Sequence, residues 1–197
     1  MIQTIIFDLG RTLIPFDFSP IAQDLDACRD EFLELTRRAE VGQISADAFR
    51  RQAARLTGVG LDRFDDWWNS IFTIQPLIEE ELLRRLIGRF RVGLLSNTSA
   101  VHFRYLRQQW PLLDAFHFHT LSYEAGQMKP QPAIYADAEK KAQCRPAEIL
   151  YFDDVEAFVH AAAERGWQAH RFTGQPAVET VLKALDILPQ GRSAGRN

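Results

Sequence analysis

Short apolar runs alternate with longer helix-patterned stretches through most of this chain. Residues 4–9 (TIIFDL) are β-branched, aromatic and apolar but for Asp8, and the run stops at Gly10. VGLL at 92–95 and ILYF at 149–152 repeat the pattern, with weaker runs at 116–121 and 168–172. Such runs mark strands covered on both faces, as in a parallel sheet. Helical patterns occupy 100–109, 132–143, 157–165 and 177–185, the second opening on Pro132, a residue suited to a first helical turn. The alternation predicts βαβ units in an α/β fold, a doubly wound, Rossmann-like parallel sheet between two helical layers.

Residues 16–75 break that rhythm. They carry three helical patterns (21–40, 45–56 and 61–72) and no strand pattern, with Ser45 placed to cap the second helix. The reading is a catalytic core of residues 1–15 and 76–188 interrupted by a small helical insertion of 16–75. The polar stretch 189–197 (PQGRSAGRN) is expected to fray.

Composition narrows the class. A chain of 197 residues with 46% hydrophobic and 25% charged residues is ordinary for a globular protein. A formal net charge of −3 argues against nucleic acid or an anionic membrane as partner. No apolar run approaches the roughly 20 residues of a membrane helix. The N-terminus lacks a basic leader region, and Cys28 and Cys144 have no ligand-type spacing, so a reduced, cytoplasmic setting is expected. Histidines 102, 117, 119, 160 and 170 are scattered without such spacing, and Trp67, Trp68, Phe16 and Phe18 read as core before they read as pocket.

Three polar stations follow apolar strands, where open α/β sheets bind ligands. Asp8 ends the first strand, and a carboxylate there is costly unless it is paired or metal-bound, although it also fits as a turn cap. Ser96-Asn97-Thr98-Ser99 offers hydroxyls and N–H groups to an anion, and read alone fits an ordinary helix cap equally well. Asp153-Asp154 places two like charges side by side, which a shared divalent cation would relieve. Lys129, in GQMKPQPAIY, is by itself a surface lysine. Together the four supply metal ligands, an anion cradle and a cation, the set that phosphoryl transfer needs.

FDLGRTL, LLSNTS, the lysine of GQMKPQPAIY and YFDD resemble, in order and approximate spacing, the four motifs of haloacid dehalogenase superfamily hydrolases. The insertion is similar to that superfamily's type 1 cap. The DLG start, SNT and VGQISADAF resemble the subfamily IA branch that includes bacterial α-D-glucose-1-phosphate phosphatases. The resemblance implies a Mg²⁺-dependent phosphatase for a small phosphorylated metabolite, a sugar phosphate or similar. Asp8 would be the nucleophile that forms an aspartyl-phosphate. Ser96 would contact the transferring phosphoryl group beside Asn97, and Lys129 would offset charge. Asp8, Asp154, the Gly10 carbonyl and, directly or through water, Asp153 would hold the metal.

Four positions depart from, or respond to departures from, the superfamily pattern. Gly10 stands where most superfamily phosphatases carry the aspartate that acts as general acid, a loss worth roughly 10²–10⁴-fold. Asp17 is a candidate replacement. Arg11 replaces a small or amide residue and would either grip substrate or crowd the entrance. Phe158 replaces an asparagine. Gly10 and Arg11 also leave room for a rival reading, a non-catalytic relative that binds a ligand or partner. The dehalogenase branch fits less well, because its members lack the metal and the paired aspartates.

Overall fold

The computed structural model describes residues 1–190. The expected fraying of 189–197 falls outside the described residues from 191 onward. The elements, in order, are β1 (Thr4–Phe7), α1 (Ala22–Leu25), α2 (Arg29–Glu40), α3 (Ala46–Thr57), α4 (Phe64–Asn69), α5 (Glu80–Ile87), β2 (Arg91–Ser96), α6 (Ala100–Gln109), β3 (Phe118–Leu121), α7 (Ser122–Ala125), α8 (Pro132–Ala142), β4 (Ile149–Asp153), α9 (Glu156–Glu164), β5 (Gln168–Arg171) and α10 (Gln175–Ala184).

The five strands form one parallel sheet in the order β3-β2-β1-β4-β5. Its faces follow the two-residue alternation of each strand. Ile5, Phe7, Val92, Leu94, Leu150 and Phe152 turn toward one core, which α5, α6 and α10 cover. Ile6, Leu95, Ile149 and Tyr151 turn toward the other, covered by α8 and α9. Both layers are required because strands this apolar cannot leave a face in water. Gly93 lets Phe118 lie flat on the sheet, since a Cβ there would come within 2.2 Å of the ring.

The helices after β1 have a core of their own, built on Phe32, Phe49, Phe64, Trp68 and Ile71, with Val101 of α6 reaching in from the sheet side. Ser45 caps α3 as expected, its Oγ accepting from the Ala48 N–H at 3.2 Å. The continuous helix expected over 21–40 is instead α1 and α2 with a turn at 26–28, which directs Leu25 and Cys28 as well as Phe32 into that core. The helix expected over 61–72 is confined to α4. Entry and exit segments of the insertion pair across a single antiparallel bridge, Phe16 with Phe72, flanked by Asp17 N–H to Ile71 O at 2.9 Å. α5 has no counterpart in the sequence reading, because its apolar stripe (Leu82, Leu83, Leu86) is only two turns long. No helix among the described residues is long and apolar enough to cross a membrane.

Candidate active site

β1 has β2 on one side and β4 on the other, so the carboxyl ends of these three strands open into the crevice where the strand order reverses. Asp8 follows Phe7, its N–H bonded to Phe152 O at 2.9 Å, which sets it beside Asp153 at the end of β4. Lys129 enters from the segment between α7 and α8. Its ammonium donates to Asp8 Oδ1 and to Asp153 Oδ2, each at 2.7 Å, and to Leu95 O at 3.0 Å. The side chain is 1% exposed, so the surface-lysine reading is wrong for this position. The Phe158 ring lies 5.0 Å from the ammonium and covers it, which gives that departure from the motif a packing role.

Asp153 is fully enclosed. Its Oδ1 accepts from the Val155 N–H at 2.9 Å, and its Oδ2 accepts from Lys129 and from the Tyr151 hydroxyl in a short bond. Both oxygens are therefore engaged, whereas Asp154 is half-buried. Oxygens of Asp8, Asp153 and Asp154 nevertheless lie within 4.8 Å of one another. Three carboxylates and one ammonium leave an excess of negative charge. Burial, then the like charge of Asp153, raises the Asp154 carboxyl, and burial with Asp153 pushes Asp8 up to about 7 against the pull of Lys129. Two carboxylates and the loss of solvent compete over Lys129, and the carboxylates keep it protonated. An all-oxygen donor set with surplus negative charge is what a hard divalent cation such as Mg²⁺ requires. The Gly10 carbonyl, which accepts no hydrogen bond among the described residues, stands beside this cluster in sequence.

The remaining stations divide. Ser96 is buried at the end of β2 and lines the adjoining cavity, and its hydroxyl makes only a long 3.5 Å contact to Asn97 O. The Asn97 side chain is spent on the backbone of Lys129, accepting from its N–H at 2.7 Å and donating to its carbonyl at 3.0 Å. It positions the lysine segment with one N–H and its oxygen, while the residue also lines the cavity. Ser99 is the cap of α6, accepting from the His102 N–H at 3.3 Å. Arg11 sits exposed at φ 57°, its guanidinium 4.5 Å from the Phe16 ring centre, on the rim rather than in the cavity. Asp17 accepts from the Ser19 hydroxyl and N–H, and those bonds hold its carboxyl below the usual range. A carboxylate held ionised in solvent is a poor proton donor, which removes Asp17 as the replacement acid.

A cavity of about 80 Å³ lies between the insertion and the sheet, lined among others by Gly10, Phe16, Thr36, Glu40, Trp68 and Ser96. Two features here escaped the sequence reading. Tyr151 looks like a strand residue, and only its position two before Asp153, on the same face, hints at the hydroxyl bond. Glu40 ends α2, where the helix dipole disfavours negative charge, and that mismatch was a legible signal. Trp68 belongs both to the insertion's core and to the cavity wall.

The family model for haloacid dehalogenase-like hydrolases matches residues 2–166. A D-ribitol-5-phosphate phosphatase of Bacteroides thetaiotaomicron is 28% identical over 186 residues, covering 85% of this chain and 90% of the relative. A haloacid dehalogenase family enzyme from the same organism, solved with magnesium and inorganic phosphate, superposes with a TM-score of 0.77 at 26% identity, over 88% of this chain and 94% of that one. A predicted haloacid dehalogenase-like family hydrolase from Porphyromonas gingivalis gives 0.75 at 25% identity over 93% of this chain and 98% of that one. The motifs at the strand ends, the parallel sheet and these likenesses agree: the chain belongs to the haloacid dehalogenase-like hydrolases.

Proposed function

We propose that this hydrolase is a Mg²⁺-dependent phosphatase that cleaves a small phosphomonoester, a sugar or polyol phosphate, through an aspartyl-phosphate on Asp8. One observation carries the reading: a buried lysine bridges Asp8 and Asp153 at 2.7 Å each, with Asp154 beside them, at the carboxyl edge of the sheet. The phosphatase relative and the magnesium–phosphate complex of the structural relative support it.

In this reading Asp8 attacks phosphorus, the bond to the leaving oxygen breaks, and the departing alkoxide takes a proton. Water then attacks the aspartyl-phosphate, releasing phosphate and freeing Asp8. Lys129 holds Asp8 in one orientation and offsets charge on the phosphoryl oxygens. Ser96, whose hydroxyl is nearly unpartnered, is placed to contact that group. Asp8, Asp154 and the Gly10 carbonyl would hold the cation, with Asp153 steadying Lys129. When bound, the metal supplies positive charge between the carboxylates and the phosphoryl oxygens. Phosphate release from p-nitrophenyl phosphate, with Mg²⁺ and with EDTA, tests the proposal. Release that is equal in both, or absent in both, rejects it.

A further inference from the structure

The cavity between the insertion and the sheet has a polar end that the phosphoryl chemistry does not use. Thr36 and Glu40 lie one turn apart on α2, so both face the same way. Thr36 is 8% exposed, and its hydroxyl finds no hydrogen-bond partner among the described residues. Buried helical threonines usually bond the carbonyl four residues back. Thr57 does so on the next helix, donating to Ala53 O at 2.9 Å. Half-buried Glu40 makes no ion pair or hydrogen bond among the described residues, and the indole N–H of Trp68, which also lines the cavity, is buried and unpaired. Buried polar atoms are almost always satisfied, so two orphans and an unpaired carboxyl lining one cavity point to a ligand that satisfies them.

We propose that Thr36 and Glu40 are specificity-determining residues that bind an uncharged hydroxyl group of the alcohol portion of the phosphate ester. The assignment rests on the phosphatase reading for the ester's orientation. Gly10 and Ser96 line the same cavity as Thr36 and Glu40. An ester whose phosphorus meets Asp8 therefore extends its alcohol portion along the cavity toward α2. Phe16, Phe18, Trp68 and Phe72 form apolar walls along that path, and a few convergent polar atoms among such walls are the usual composition of a small-molecule site.

Charge selects the class of ligand. Among the described residues no lysine or arginine lines the cavity. His102, the one imidazole among the described lining residues, is kept neutral because burial pushes it down to about 3. A leaving group bearing a carboxylate or second phosphate would have Arg11 only at the rim and would meet Glu40 inside. Burial alone pushes Glu40 up to about 7, so its carboxyl can donate to one hydroxyl and accept from another. A partly protonated acid is a weak counter-ion, which disfavours a quaternary or primary ammonium despite the aromatic walls. A polyol or sugar is the neutral, hydroxyl-rich group that remains.

The test uses Glu40→Met and Thr36→Val, both close in size to the native side chains and both without the hydrogen-bonding atoms. The readout is the ratio of kcat/KM on a pentitol phosphate to kcat/KM on phenyl phosphate, which lacks hydroxyls. That ratio should fall about tenfold or more in each variant. The same ratio of affinities, measured by calorimetry on the Asp8→Asn protein with and without each substitution, judges the proposal separately from turnover. Ratios within twofold of the parent in both formats overturn it, as does a parent preference for phosphocholine or phosphoglycolate over the pentitol ester. Absence of Mg²⁺-dependent hydrolysis on every ester, with the affinity ratio still falling in the variants, rejects the phosphatase reading and leaves the hydroxyl site standing.

Discussion

The ring of Phe16 occupies the space into which a side chain at residue 10 would project. An ideal Cβ on Gly10 would lie 2.7 Å from Phe16 Cε1. The ring is held there by Phe18 and Phe72, whose centroids are 5.7 and 6.1 Å away, and by the Arg11 guanidinium at 4.5 Å. Glycine at 10 and phenylalanine at 16 are thus one arrangement: the place of an acid is filled by an aromatic wall of the cavity.

Gly10→Asp alone should therefore fail to raise kcat/KM on a primary alkyl phosphate, because its carboxyl would have to displace a packed ring. Gly10→Asp combined with Phe16→Ala should raise it relative to Phe16→Ala alone, by about tenfold or more if the new acid reaches the leaving oxygen. A large gain from the single substitution would show that the ring yields freely.

Without an acid at residue 10, esters whose leaving groups are stable anions should be the better substrates. Phenolates, with pKa near 10, leave far more easily than simple alkoxides. We expect kcat/KM to fall steeply with leaving-group pKa across a series of aryl and alkyl phosphates, measured where bond cleavage limits the rate. A flat series would mean that a residue other than Asp17 or Gly10 supplies the proton.

Asp8→Asn should cut turnover by about 10³-fold or more while the protein stays folded, since the amide keeps the shape and loses the nucleophile. Lys129→Met should instead cost stability, on the order of 3–5 kcal/mol in EDTA, because it strands buried carboxylates. Added Mg²⁺ should recover part of that loss. Urea melts of both variants distinguish the roles, and equal stability of Lys129→Met and the parent would discount the buried ion pair.

His102 ties α6 to the insertion. Its ring stacks on Trp68 at 4.4 Å, and its Nε2 lies 3.3 Å from Trp68 O. Burial lowers it from an ordinary 6.5 to about 3, so between those values the unfolded chain holds a proton that the folded one does not. Stability tied to this group is complete above pH 6.5 and is lost as pH falls toward 3. His102→Gln should show a shallower acid-side loss in urea melts between pH 6.5 and 4. A parallel slope in parent and variant would show that His102 is not held neutral.

The apolar runs by themselves determined the parallel sheet, because strands buried on both faces must be apolar along their whole length, and that leaves a mark in residues 4–9, 92–95 and 149–152. The polar residues that end those runs were legible for the same reason: Asp8, Ser96 and Asp153 are conspicuous against what precedes them. Lys129 had no such contrast, and only the fold shows it 1% exposed between two carboxylates. The bonds of the Asn97 amide to the lysine backbone join positions 32 residues apart, a pairing that no local pattern encodes. Phe16 against Gly10, and Thr36, Glu40 and Trp68 around one cavity, were likewise decided in three dimensions. Helical periodicity tells which residues share a face, but whether that face meets a core or a cavity depends on how the insertion docks on the sheet.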